Sequence, residues 1–202
     1  MGPLIWINGP FGVGKTQTAY ELRRRLPGSV VCDPERVGSG LNRTLPPALR
    51  GDFQDLTAWR DGVREVLGVA LRGHPGPVIA PMTLVDPGYF AEIVGRLRED
   101  GHTVHHVALL AERATVLRRL SERGLGRGLK RESFAVRKLD HCLERLVEPE
   151  FAEHLATDRL TVPQVADRIA GSAGLDLLPD TDGALRHRVR RVWTGVRHIR
   201  FD

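Results

Sequence analysis

Residues Gly9 to Thr16 read Gly-Pro-Phe-Gly-Val-Gly-Lys-Thr and directly follow the apolar run Leu4-Ile5-Trp6-Ile7. This is a complete P-loop pattern, G-x-x-x-x-G-K-[ST], between a predicted strand and a predicted helix. Successive backbone N–H groups in such a loop form an anion-binding nest, and the helix starting near Lys15 directs its positive dipole end at the same point. Gly9, Pro10, Phe11, Gly12, Val13, Gly14, Lys15 and Thr16 are therefore the candidate binding loop for ATP. Lys15 is expected to reach the β- and γ-phosphate oxygens and Thr16 to ligand Mg2+.

Such a loop needs a parallel sheet behind it, and the chain supplies one. Apolar runs alternate with helical stretches: a strand at 4–8, a helix from Lys15 to about Leu26, and a strand at Ser29-Val30-Val31-Cys32 stopped by Asp33-Pro34. Val78-Ile79-Ala80 predicts a third strand, Tyr89 to Arg98 a helix, and Val104 to Leu110 a fourth strand. Helices follow around Leu117 and Leu120, at 133–146 and at 162–173, with a short strand near 154–157. The alternation predicts an α/β fold, a doubly wound parallel sheet flanked by helices. At 202 residues and 41% hydrophobic, the chain is long enough for one core and too short for two, so residues 1–178 are expected to form one domain.

Composition excludes several classes. Cys32 and Cys142 have no metal-ligand spacing, so free thiols are expected rather than a disulfide scaffold or zinc site. His105 and His106 are consecutive in a strand, point to opposite faces and are expected to be structural. The formal charge is +5, but the arginines are spread among acids, which argues against a nucleic-acid partner. No apolar run approaches the ~20 residues of a membrane span, and no leader-like segment precedes the first strand, so the protein is expected to be cytoplasmic.

Two features narrow the chemistry. The chain lacks the guanine-reading Asn-Lys-x-Asp motif and a strand ending in an acid pair. Instead Arg119-Leu-Ser-Glu-Arg123 runs into Arg-Gly-Leu-Gly-Arg-Gly-Leu-Lys-Arg at 123–131, which resembles the lid of nucleoside-monophosphate kinases. That resemblance implies that Arg119 lies against adenine and Arg123 touches the phosphates. Phosphoryl transfer independently calls for mobile cations that close over the migrating charge, and Arg123, Arg127, Lys130 and Arg131 supply them. The predicted lid spans about 123–132. Asp33, at the carboxyl end of the second strand, falls where open parallel sheets place their ligands, and is expected next to the P-loop strand. It is the candidate general base for an acceptor hydroxyl, or a further ligand for magnesium.

The chain as a whole resembles the tunicamycin-resistance proteins of bacteria. The matching features are Trp6-Ile7-Asn8-Gly9, Asp33-Pro34-Glu35 with Gly38, Asp52-Phe53-Gln54 followed by Trp59-Arg60, Pro81-Met82-Thr83, and Asp180-Thr181. The resemblance implies a P-loop kinase fold similar to chloramphenicol phosphotransferase, ATP binding, and protection against a nucleoside antibiotic by phosphorylation or by capture. A nucleoside carrying sugars and an acyl chain needs an aromatic surface and hydrogen-bonding groups. Within the expected substrate-binding segment, 38–73, Asp33's neighbours in that task are Phe53, Gln54, Trp59 and Arg60. The enzyme reading is an ATP- and magnesium-dependent phosphotransferase acting on a tunicamycin hydroxyl. The alternatives are a sequestering protein without chemistry and a housekeeping small-metabolite kinase. Residues 179–202 form a basic amphipathic helix by pattern, with Leu185, Val189, Val192, Trp193, Val196 and Ile199 in register, expected to dock on the core or to touch an anionic membrane surface.

Overall fold

A computed structural model describes residues 2–123 and 129–180, apart from the side chains of residues 123–135. The predicted lid residue Arg127, the Arg123 side chain and the C-terminal segment from residue 181 lie outside the described residues. The strands are β1 (Leu4–Asn8), β2 (Val30–Val31), β3 (Val78–Pro81), β4 (Val104–Leu110) and β5 (His154–Ala156). They form one sheet in the order β2-β3-β1-β4-β5, parallel at every pairing.

Strand periodicity builds two cores from one sheet. Leu4, Trp6, Val78 and Ala80 point to one face, where they meet α3 (Thr57–Gly73) and the continuous helical stretch made of α4 (Pro87–Phe90), the π turn Ala91–Gly95 and α5 (Arg96–Glu99). Ile5, Ile7, Ile79, Val107 and Leu109 point to the other, against α1 (Lys15–Arg25), α6 (Arg113–Arg123) and α8 (Val162–Ser172). Every residue of β1 is buried, as the central strand of a doubly covered sheet must be. α7 (Leu129–Leu146) serves both cores, with Leu139 in the second and Cys142 and Leu146 in the first.

Three expectations need correction. β2 does not neighbour β1. β3 is inserted between them, because its four residues are fully buried and demand a covered position, whereas the two residues of β2 are half-buried and tolerate the edge. A helix not predicted from the sequence, α2 (Pro34–Thr44), follows β2 at once. Asp33 is its N-cap, accepting from Glu35 N at 3.0 Å, and Pro34 takes the first turn, where its missing N–H costs nothing. Gly38 and Gly40 mask this helix in the sequence. Gly38 is there for packing: a Cβ would stand 2.4 Å from the Phe53 ring. Finally, α7 starts at Leu129 rather than 133, so residues 129–132 of the predicted lid are helix.

Candidate active site

The loop between β1 and α1 has the shape its glycines permit. At Gly9 a Cβ would lie 2.7 Å from the Leu109 carbonyl oxygen, so β1 can leave the sheet only through glycine. At Gly14, space is open but φ is +114°, a conformation that glycine alone adopts at little cost. α1 then begins at Lys15, with half-buried Thr16 on its first turn.

The start of the loop is fastened by Asn8, which is completely buried. Its Oδ1 accepts from Gly9 N at 2.8 Å and from Leu84 N at 2.9 Å, and its Nδ2 donates to the Leu84 carbonyl at 2.7 Å. Nδ2 also faces His106 Nε2 at 3.3 Å, while His106 Nδ1 faces the Ala152 carbonyl at 3.0 Å. With Nδ1 protonated and Nε2 accepting, the neutral ring satisfies both contacts. Burial holds the His106 pKa down to about 4, only partly offset by the bond to Ala152. The ring is wedged edge-on against Phe90, at 4.8 Å between centroids. His106 is thus structural, as its position in the strand implied, and His105 faces the opposite side, 3.0 Å from Ser172 Oγ.

Lys15 is buried and folded back over its own loop. Its ammonium donates to the carbonyls of Gly9 at 2.8 Å and Pro10 at 3.0 Å, and to Thr83 Oγ1 at 2.7 Å; it lies 5.5 Å from the centre of the Phe11 ring. Thr83 comes just after β3, the strand beside β1, and donates its own hydroxyl proton to Gly9 O at 2.8 Å. From the other side of the loop, Arg119 on α6 donates to Val13 O at 3.1 Å and to Thr157 O at 2.9 Å. It joins the loop to the end of β5.

Asp33 stands at the same carboxyl edge. Val31 is level with Ile79, and Pro81 with Ile7, so continuing β2 by two residues brings Asp33 level with Pro81 and Ile7, with β3 between its strand and β1 and two strand spacings, roughly 10 Å, separating those strands. Cys32, next to it, is half-buried, and burial pushes its thiol up. Neither cysteine is in a disulfide.

The four residues expected in the substrate segment separate. Gln54 donates from Nε2 to the Thr83 carbonyl at 2.9 Å, which brings it to the loop. Half-buried Phe53 packs between Gly38 and Trp59, at 5.4 Å from the latter's ring. Trp59 is fully buried, with Nε1 donating to Pro34 O at 3.0 Å; it supports the start of α2 and has no surface to offer a ligand. Arg60 is also buried and committed: Nε donates to Glu92 at 2.6 Å, Nη1 to Gln54 O at 2.7 Å, and its guanidinium lies 4.3 Å from the Tyr89 ring centre. Both residues hold the segment in place.

Thr83 and Asp52 stand in the matched runs Pro81-Met82-Thr83 and Asp52-Phe53-Gln54 without a role read for them, and Lys138 is not singled out by the sequence; the structure ties Thr83 to the loop and Asp52 to Lys138. Asp52 caps the turn Phe53–Asp55 through Gln54 N at 3.1 Å and forms an ion pair with Lys138 on α7. Burial raises the Cys142 thiol on α7 against the pull of Lys15 and Lys138. Only Thr83 carries a usable signal, a polar residue two positions beyond a fully apolar strand.

A P-loop at the carboxyl edge of a 2-3-1-4-5 parallel sheet, with a basic helix packed over it, defines a P-loop kinase of the small-molecule type. A family model described as an AAA domain matches residues 4–149. Among solved structures, the tunicamycin resistance protein of Deinococcus radiodurans is similar over 88% of this chain and 99% of its own, at 36% identity and a TM-score of 0.73. A gluconokinase from Sinorhizobium meliloti (14% identity, 86% of this chain and 91% of that one, TM-score 0.59) and the Mycobacterium tuberculosis APS kinase in complex with AMPPNP and APS (16%, 86% and 98%, TM-score 0.56) share the fold. Comparison with curated protein sequences finds no match. The chain belongs to the family of the tunicamycin-resistance proteins.

Proposed function

We propose that this protein transfers the γ-phosphoryl group of ATP to a hydroxyl of tunicamycin or a closely related nucleoside. The observation that carries the proposal is the separation of Asp33 from the phosphate-binding loop. A residue two strand spacings, roughly 10 Å, from β1 along the sheet edge leaves room for an acceptor hydroxyl and a terminal phosphate between its side chain and the loop. The Deinococcus relative supplies the substrate class.

The loop amides and Lys15 bind the phosphates. Asp33 orients the acceptor hydroxyl, whose oxygen attacks the γ-phosphorus while the bond to the bridging β–γ oxygen breaks. The hydroxyl proton passes to Asp33, and ADP departs. Arg119, held by Val13 O and Thr157 O, would lie against the adenine, and Arg123 and Arg127 are the lid cations that meet the transferred charge. Magnesium fits the donors present, because it takes few protein oxygens and keeps phosphates and water as its other ligands. The Thr16 hydroxyl would hold it; a loss of Mg-ATP affinity in Asp33→Asn would instead assign the Asp33 carboxylate to the metal. When bound, it would neutralise charge on the β- and γ-phosphates.

Asp33→Asn tests the reading cleanly, because asparagine caps a helix as well as aspartate and so preserves α2. The variant is expected to bind Mg-ATP and drug as the parent does and to transfer phosphate about 10²–10⁴-fold more slowly, read as a mass gain of one phosphoryl group on tunicamycin. Undiminished transfer would refute the base. Full protection of cells without any transfer would favour sequestration.

A further inference from the structure

We infer that Thr83 is a positioning residue that parks Lys15 away from the nucleotide, so that its hydroxyl sets how tightly the free protein takes up the β- and γ-phosphates. The inference rests on the nucleotide-binding half of the function proposed above and is independent of the acceptor.

An ammonium group has three N–H donors. Among the described residues, those of Lys15 meet three acceptors within 3.0 Å: Gly9 O, Pro10 O and Thr83 Oγ1. Phosphate oxygens are reached only by giving some of these up. Two of the three are carbonyls of the loop itself, which every residue at those positions would present. The third is a side chain from the neighbouring strand, and at 2.7 Å it is the shortest of the three. Thr83 is 3% exposed, so no water competes for its hydroxyl, and it is held on both sides: its proton goes to Gly9 O at 2.8 Å, and its carbonyl receives Gln54 Nε2 at 2.9 Å. Its Oγ1 therefore has an acceptor lone pair directed at Lys15.

A contact made in the free state and surrendered on binding weakens binding by its own strength. Hydrogen bonds to a charged group in a buried setting are among the stronger ones. Removing the hydroxyl costs the bond to Gly9 O in both states but the Lys15 contact only in the parked one, so the parked state loses more. The prediction is counterintuitive: deleting a polar residue from the site tightens ATP binding.

Calorimetric titration of Mg-ATP into the full chain tests this. Thr83→Val, nearly isosteric, is expected to bind about tenfold more tightly, equivalent to about 1.4 kcal/mol; Thr83→Ser, which keeps the hydroxyl, should match the parent within about twofold. Thr83→Ala is expected to shift in the same direction as valine and serves if the added methyl disturbs the buried packing. A Lys15→Met background separates parking from packing: without the ammonium, Thr83→Val should leave the already weakened nucleotide affinity unchanged. Equal or weaker binding by both the valine and alanine variants, or tightening that persists without Lys15, would overturn the inference. Loss of tunicamycin phosphorylation alone bears on the acceptor and leaves the affinity comparison intact.

Discussion

Among single residues, His106 has the clearest consequence outside the nucleotide site. Its folded pKa of about 4 lies below the ordinary value of 6.5, so the native state keeps the ring neutral where the unfolded chain takes up a proton. The stability it contributes is complete above about pH 6.5 and is lost as pH falls towards 4. By pH 5 the loss is about 2 kcal/mol. Urea unfolding at pH 7, 6 and 5 is expected to show this slope, and His106→Gln should reduce proton uptake on unfolding at pH 5 by about one. The same ring braces Asn8, which pins Gly9 and Leu84, so acid should loosen the loop before it unfolds the sheet. Lys15 offers a complementary test. Because the loop amides remain, Lys15→Ala is expected to keep its fold and to lose productive ATP use, measured as phosphoryl transfer. Unimpaired transfer would contradict the role given to the ammonium.

At the level of elements, α2 and the turn carrying Gln54 show how local sequence is set by a distant neighbour. Glycine at position 38 lowers helix propensity by about 1 kcal/mol against alanine, yet the Phe53 ring leaves no room for a Cβ there. Overpacking of this kind typically costs about 1–3 kcal/mol. Gly38→Ala is therefore expected to lower the melting temperature by a few degrees and to displace Phe53 and Gln54. Gly40→Ala, whose Cβ would meet nothing within 4 Å, should raise it slightly. Calorimetry on the pair decides whether Gly38 is a packing requirement or merely a weak helix position. The helix escaped sequence reading because its two glycines look like loop residues until Phe53 is placed beside them. Trp59 is the mirror case: an aromatic near a binding segment reads equally as ligand surface or core until its burial is known.

Across the whole molecule, the chain closes on itself through Arg25 at the end of α1. Its Nε donates to Leu178 O at 2.8 Å and its Nη2 to Asp167 at 2.6 Å, while Leu178 N returns a bond to Arg25 O at 2.8 Å. Asp167 is about half exposed, so the ion pair itself adds little, but Arg25 is buried and its loss leaves the Leu178 carbonyl without its side-chain donor; Arg25→Ala should therefore lower the melting temperature by a few degrees, with little change in the Kd for Mg-ATP. A large change in that Kd would mean the clasp reaches the loop. By itself the sequence determined the loop, its lysine and hydroxyl, the parallel α/β architecture, the two-sided burial of the strands and Asp33 at a strand end. Each of these is written in contiguous residues, where spacing and periodicity report the local physics directly. Tertiary structure alone decided that β3 separates β2 from β1, that Trp59 and Arg60 support rather than line the site, and that Thr83 holds Lys15. Those outcomes depend on which buried surfaces meet across 20 to 70 residues of chain, and pairings of that kind are fixed by the fit of the complete core.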